Sequence, residues 1–261
     1  MSRYYKTHLR EDYIYDVDFQ TNILDVAYTF GFDFPNRVTL IALDKFMRAI
    51  KSNGIYYLCD TMVNFALNNS SLKQFSLIDW KRKSKFYITH GGLNYTAGGW
   101  EGNSINGYID TGFNPVIGTN NYSINNAGRT VILHKIAETS NFIDGNIGGQ
   151  HMRAALSTQQ RICNSININT NADLIGIGLK SINRDSNETI RLYNKKDEYI
   201  RSSLSSTITN GNYWLLRSTS SYGDCGISNY IMGASLNRNQ LIELRTAYNK
   251  YLSSIGLTPI A

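Results

Sequence analysis

Asp16 and Asp18 stand two residues apart, so on a strand both carboxylates would point to one face. Such a pair could hold a metal or share a proton, but inside an alternating run it reads as a solvated strand face. Glycoside hydrolysis on a β-sandwich needs two carboxylates about 5–10 Å apart across a cleft. No Glu-x-Asp-x-x-Glu style cluster supplies them. The four histidines, His8, His90, His134 and His151, show no HExxH or HxH spacing and read as polar strand residues. There is no G-x-S-x-G elbow for a serine nucleophile, and Gly102-Asn103-Ser104 reads as a turn. Cys59, Cys163 and Cys225 are widely spaced, without a CxxC pair, which removes zinc-knuckle and thioredoxin motifs. They read as buried free thiols. A cysteine nucleophile would need a histidine brought beside it by the fold; Cys163 reads as a core strand thiol. The glycines near Gly98 lack the Gly-Lys-Ser/Thr of a P-loop. Asp144-Gly145-Asn146, Asp173 and Asp224 could offer oxygens to calcium, and read equally well as turns. Ser186-Asn187-Glu188-Thr189-Ile190 is a single copy of a sialidase-like turn and carries no weight. The expectation is therefore no catalytic set, no metal and no cofactor.

The aromatics remain. Trp80, Trp100 and Trp214 could stack on the apolar face of a sugar. Trp214 lies in Tyr213-Trp214-Leu215-Leu216 and reads as core. Trp100 follows Gly98-Gly99 on a turn and is the candidate glycan contact.

The elements that would position these groups are mostly strands. Eighteen Tyr, ten Phe and three Trp favour sheet over helix. Asn106-Gly107, Asp144-Gly145 and Asn210-Gly211 signal hairpin turns. Candidate strands recur from Ile55–Leu58 through Asn64–Ala66, Tyr87–His90, Gly107–Asp110, Thr130–Ile136, Phe142–Ile147, Arg161–Ile166, Leu174–Leu179, Thr189–Tyr193 and Tyr213–Arg217 to Asn229–Gly233. Short strands with turns between them predict an antiparallel sandwich or barrel, and the missing βαβ rhythm excludes Rossmann and TIM architectures. Two helices flank them. Leu43, Phe46, Met47 and Ile50 share a face over about 38–53, closed by Asn53-Gly54. Over about 238–255, Asn237 and Gln240 form a capping box, and Leu241, Leu244, Tyr248, Tyr251, Leu252 and Ile255 trace a stripe.

Residues 1–36 read as an arm separate from the 37–261 sandwich. Tyr13, Tyr15, Val17 and Phe19 alternate with polar residues as a half-buried strand would. A lone strand must pair with something. Tyr4, Tyr5, Tyr13, Tyr15 and Phe19 are the candidate subunit contacts.

At 261 residues the chain can bury a core without disulfides, and its 42% apolar content argues against disorder. The net charge of +6 permits an acidic partner, but the one dense basic run, Lys81-Arg82-Lys83-Ser84-Lys85, reads as a solvated turn, and no nucleic-acid partner is expected. The start has no apolar h-region and nowhere do 18 apolar residues run together, so neither signal peptide nor membrane span is expected.

Several stretches carry a family resemblance. Leu43-Asp44-Lys45-Phe46-Met47-Arg48-Ala49-Ile50-Lys51-Ser52-Asn53-Gly54 precedes Tyr56-Tyr57-Leu58-Cys59-Asp60, Asn64-Phe65-Ala66 and Ile78-Asp79-Trp80-Lys81. Gly107-Tyr108-Ile109-Asp110-Thr111-Gly112-Phe113-Asn114-Pro115 follows, then Thr189–Asn194, Asn210–Leu215 and the Leu241–Ile255 stripe. In this order they resemble bacteriophage virion proteins with a concanavalin-A/laminin-G-like jelly-roll domain, over residues 37–257. The Gly107–Pro115 run is the most specific part. The resemblance implies an all-β antiparallel jelly-roll sandwich in a non-enzymatic tail, collar or head-fibre component. The arm would dock on other virion proteins, the sandwich would face outward, and the assembly would be a homo-oligomer such as a trimer. It would be made in the bacterial host cytoplasm and reside in the virion. The alternative implied by the same fold is a carbohydrate-binding module that reads host surface polysaccharide.

Overall fold

Two antiparallel sheets stack face to face, and helices cover the outer face of the larger one. The computed structural model describes residues 13–118, 120–136, 142–153, 159–163, 168–169, 174, 176–195 and 197–260. Its strands are β1 (Cys59–Asn64), β2 (Ile88–His90), β3 (Asn94–Thr96), β4 (Gly99–Glu101), β5 (Tyr108–Asp110), β6 (Ala127–Lys135), β7 (Phe142–Asn146), β8 (His151–Arg153), β9 (Gln159–Gln160), β10 (Ile168–Asn169), β11 (Gly178–Arg184), β12 (Thr189–Asn194), β13 (Asp197–Ser202), β14 (Tyr213–Leu215), β15 (Arg217–Ser218), β16 (Ser221–Tyr222) and β17 (Gly226–Gly233). The eight-stranded sheet runs β13-β12-β11-β6-β17-β4-β3, with β1 also paired to β17. The five-stranded sheet runs β2-β5-β14-β7-β8. The expected all-β antiparallel sandwich is the fold observed.

Strand alternation feeds two cores. Val131 and Leu133 on β6, Ile182 on β11 and Tyr230 and Met232 on β17 point between the sheets. Ile132, Leu179, Tyr193 and Ile231 point the other way, under the helices. The helices are α1 (Val17–Phe19), α2 (Asp25–Phe30), α3 (Arg37–Ser52), α4 (Ile55–Leu58) and α5 (Arg238–Ser254), with a π turn over Gln20–Leu24 joining the first two. In α3, Asn36 caps the Thr39 N–H, the predicted face of Leu43, Phe46, Met47 and Ile50 is buried, and Gly54 at φ +73° makes the left-handed turn. In α5 the Asn237–Gln240 capping box forms as expected. Tyr248 donates to Asn64 and Tyr251 to the Ala66 carbonyl, which fastens α5 to the end of β1.

The expected strand at 13–19 does not form: residues 13–16 are irregular and Val17–Phe19 is the helix α1. Asp16 accepts from the N–H groups of Asp18 and Phe19, which starts α1, so its carboxylate caps a helix rather than facing water. Lys51 then binds Asp16 at 2.8 Å and Asp18 at 2.7 Å. Phe19, Ile23, Leu24 and Ala27 are fully buried in the helix-side core. Buried Asp44 on α3 collects the Tyr13 hydroxyl, the Asp16 N–H and Arg48. Residues 13–36 thus pack on their own chain. The expected strand at Ile55–Leu58 is the short helix α4, and β1 begins after it. Asp144-Gly145 is not a turn but lies inside β7. A Cβ on Gly145 would meet the Ser218 side chain at 2.4 Å, so glycine there admits the β15–β16 hairpin against the sheet. Leu174–Leu179 was expected as a strand, and the strand lies further on, at β11. Of the expected strand Arg161–Ile166, residues 164–166 lie outside the described residues, and among 161–163 Arg161 makes a bridge, to His151.

Arg129 on β6 and Asp144 on β7 meet between the sheets at 2.5 Å, both with fully buried side chains. Tyr230 donates to Asp144 at 2.9 Å, as does the Met152 N–H. Arg129 also donates to the carbonyls of His151 and Arg161. Burial lifts the Asp144 carboxyl above its usual range, and the Arg129 charge and the two hydrogen bonds oppose that lift. Removing the carboxylate alone strands a buried guanidinium. Asp144→Ala should therefore cost about 3–5 kcal/mol in urea unfolding. A loss no larger than an exposed pair gives, about 1 kcal/mol or less, would refute the pair's structural role.

His151 supplies a pH handle. Burial, then the charges of Arg153 and Arg129, push its imidazole down to about 3. The unfolded value is about 6.5, so the folded ring stays neutral where the unfolded ring gains a proton. Its stabilising share is fully present above about pH 6.5 and declines as pH falls toward about 3, by at most about 1.4 kcal/mol per pH unit. His151→Gln should flatten the acid limb of a stability–pH curve by that slope; an unchanged limb would show that His151 titrates normally.

Candidate functional site

The five-stranded sheet turns its outer face to solvent at β2, β5 and β14. Ile109, Tyr213 and Leu215 point into the core, so Tyr108, Asp110 and Trp214 point outward by alternation. Trp214 lies directly opposite Asp110, and His90 opposite Tyr108. The His90 and Tyr108 rings stack at 4.5 Å. Leu216, at φ +63°, turns the chain back, and Arg217 folds over the aromatic group. Its guanidinium lies 4.3 Å from the Trp214 ring centre, 4.4 Å from Tyr108 and 5.2 Å from Tyr222. Trp214, Tyr108 and Tyr222 are all half-buried.

This platform runs into a cleft. Asn212 donates to Asp110 at 3.2 Å, and the Gly112 N–H donates to the same carboxylate at 2.7 Å. Gly112, Phe113 and Asn114 then line a cleft of about 490 Å³ with Asp60, Asn120, Asn121 and Asn212. Asp60 accepts the N–H groups of Asn121 and Tyr122 at 2.8 Å each. Burial raises its carboxyl, and those N–H groups pull it back. Arg82 fixes the cleft wall: it pairs with buried Asp79 at 2.6 Å and donates to the carbonyls of Thr111 and Gly112. The combination of half-buried aromatic residues, amides, a carboxylate and the basic side chains of Lys81 and Arg82 suits polar, hydroxyl-rich ligands.

The sequence placed the tryptophans the wrong way round. Trp100 is 5% exposed and donates its indole N–H to Ser76, inside the sandwich. Trp214 faces outward. Period-two alternation already carried the signal, because Tyr213 and Leu215 cannot both be inward unless Trp214 is outward. The candidate subunit contacts are engaged within the chain: Tyr13 bonds Asp44, Tyr15 stacks on Phe19 at 5.6 Å, and Phe19 is fully buried. Tyr4 and Tyr5 lie outside the described residues, as do His8 and Asp173. Among the described residues no group of three metal-binding side chains converges. Burial pushes the Cys59 and Cys225 thiols up to about 12 and raises that of Cys163, so none is an activated nucleophile. In the basic run, Lys81 sits over Tyr56 and Arg82 holds the cleft, whereas residues 83–85 are exposed.

One hydrolase-like constellation went unseen in the sequence. His134 lies 3.0 Å from Ser228 Oγ and 3.3 Å from Glu101. Ser228 is fully buried, and its hydroxyl also lies 2.7 Å from the Gly98 carbonyl. With the oxygen fully buried and a second acceptor beside its one proton, no substrate reaches it and the group is not a catalytic set. A second concavity, about 1100 Å³, lies between α3 and α5. Lys45, Lys195, Arg245 and Lys250 line it together with Phe46, Ala49 and Tyr251, so part of the net positive charge converges there in space but not in sequence.

The burial contrast has a spectroscopic consequence. Acrylamide should quench the Trp214 fraction of the fluorescence and leave Trp80 and Trp100 largely protected. Trp214→Phe should remove the accessible fraction, and equal quenching before and after that change would place Trp214 in the core.

No protein-family model matches this chain, and no curated protein matches it. Solved structures do. The binding domain of botulinum neurotoxin serotype D matches with a TM-score of 0.50 and 9% identity, over 72% of this chain and 51% of that one. The binding domain of botulinum neurotoxin DC in complex with rat synaptotagmin II matches at 0.48 and 11%, over 74% and 52%. Domain 4 of AbnA, a GH43 extracellular arabinanase from Geobacillus stearothermophilus, in complex with arabinotriose, matches at 0.46 and 11%, over 71% and 98%. This chain spans about half the length of the toxin binding-domain structures. At such identities the likeness is one of fold, and the fold is the antiparallel β-sandwich.

Proposed function

We propose that this protein is a non-catalytic carbohydrate-binding module that recognises a surface polysaccharide through the Trp214 platform and the adjoining asparagine-rich cleft. One observation carries the reading: a half-buried, outward tryptophan stands beside Asp110 and Asn212, which lead directly into the cleft. A sugar offers an apolar C–H face to an indole and hydroxyls to amides and carboxylates, and this surface has both partners side by side. The outward strand positions are fixed by the core beneath them, which suits binding without rearrangement.

The setting we propose is a virion surface turned toward host polysaccharide, with other virion proteins as structural partners and a homo-oligomer, a trimer for instance, as the assembly. Its support is the sequence resemblance. The most specific part, Gly107–Pro115, contributes Tyr108 to the platform, Asp110 to the junction, and Gly112, Phe113 and Asn114 to the cleft.

The test is a panel of bacterial surface polysaccharides presented to the purified chain, with hits followed by calorimetry. Trp214→Ala should weaken a hit at least tenfold, about 1.4 kcal/mol or more. Asn212→Ala should weaken it less, and the polysaccharide should show no new reducing ends after prolonged incubation. A panel without a hit at millimolar concentrations overturns the binding reading, and released reducing ends overturn the non-catalytic one.

A further inference from the structure

We infer that Arg217 makes this platform selective for saccharides bearing a carboxylate. The inference rests on the glycan-binding reading above and narrows its ligand class. The guanidinium is held over three rings at once, at 4.3, 4.4 and 5.2 Å. Its Nε donates to the Thr219 carbonyl at 3.0 Å, which fixes the remaining rotation. Among the described residues no carboxylate stands within ion-pair distance of it. The residue is half-buried and oriented, and among the described residues nothing neutralises its charge or accepts from its Nη groups, which leaves those donors for a ligand. Two parallel N–H groups in a fixed plane match the two oxygens of a carboxylate. Three aromatic contacts rather than one mean little side-chain freedom is lost when that bidentate pair forms.

The surroundings set the ligand's charge. Asp110 lies directly opposite Trp214 on the same outward face, where a second negative charge on the ligand would meet it. A single carboxylate on an otherwise neutral sugar satisfies Arg217 and leaves the rest of the ligand uncharged where it meets Asp110. Asn212, bonded to Asp110, and the cleft beyond it then meet the hydroxyls of the same or the next residue. Hexuronic and nonulosonic acids share this chemistry.

Four probes separate the possibilities by calorimetry on the full chain: a neutral hexose oligosaccharide, a hexuronate oligosaccharide, an oligosaccharide ending in a nonulosonic acid, and sodium acetate. At least one carboxylated oligosaccharide should bind tenfold or more tighter than the neutral one. The arm that wins names the source of the carboxylate. Acetate should not compete at equal concentration, and the preference should shrink between 50 and 500 mM salt. Arg217→Gln should bring carboxylated and neutral ligands to equal affinity. Arg217→Lys, which keeps the charge over the rings, should retain part of the preference and guards against a folding defect in the glutamine variant. Equal binding of neutral and carboxylated ligands by the wild type, or an unchanged preference in Arg217→Gln, overturns the inference while leaving glycan binding intact. Competition by acetate equal to that of the oligosaccharides overturns it as well. No binding of any saccharide overturns the glycan-binding reading itself, and this inference with it.

Discussion

The buried pair between Arg129 and Asp144 is the constraint around which the sandwich is arranged. It joins the two sheets, since Arg129 stands on β6 of one and Asp144 on β7 of the other. A charge so deeply buried is tolerable only if every neighbour cooperates. Tyr230 from β17, the Met152 N–H from β8, and the His151 and Arg161 carbonyls all point at the pair. A slip of one residue in β6 or β7 would turn a charged side chain outward and leave its partner orphaned. The apolar residues around it, Val131, Leu133, Ile143 and Leu215 among them, would tolerate several packings; the ion pair tolerates one.

A second carboxylate organises the helical layer in the same manner. Asp44 is buried on α3 and gathers Tyr13, the Asp16 N–H and Arg48, and Asp16 in turn caps α1 and binds Lys51. The helical layer gains its apolar burial from Phe19, Ile23 and Leu24, while these polar bonds set the angle at which the chain enters. Asp79 does the corresponding work for the cleft, by orienting Arg82 across the carbonyls of Thr111 and Gly112.

What the sequence made legible was whatever depends on local period or local chemistry. Helices α3 and α5 followed from their stripes and caps, and the antiparallel sandwich from short strands between turn signals. The errors arise where a distant partner decides. Tyr13–Phe19 alternates like a strand, yet Asp16 caps a helix because Lys51 and Asp44 wait for it on α3. Asp144-Gly145 has the composition of a turn, yet Arg129 and the hairpin packed on Gly145 draw it into a strand. Strands β3 and β4, three residues each, carry too short a pattern to register. Trp214 differs from these, because its outward direction was present in the alternation and was masked by the apolar character of its neighbours.

The core and the candidate site are continuous. The Arg129 guanidinium lies 5.3 Å from the ring of Tyr213, so the buried pair also seats β14. The Tyr213 carbonyl receives both the N–H and the hydroxyl of Thr111, which ties the start of the cleft loop to the same strand. From β14, Trp214 faces outward and Asn212 reaches Asp110; from the loop, Gly112 reaches the same carboxylate. Platform and cleft are therefore two outer surfaces of one strand pair whose inner surface is pinned by an ion pair. A surface mounted on strands in this way keeps its geometry when loops vary, so affinity gained there needs little ordering of the protein. The electrostatic cost of burying Arg129 and Asp144 comes with a fixed register for the outward residues of the candidate site.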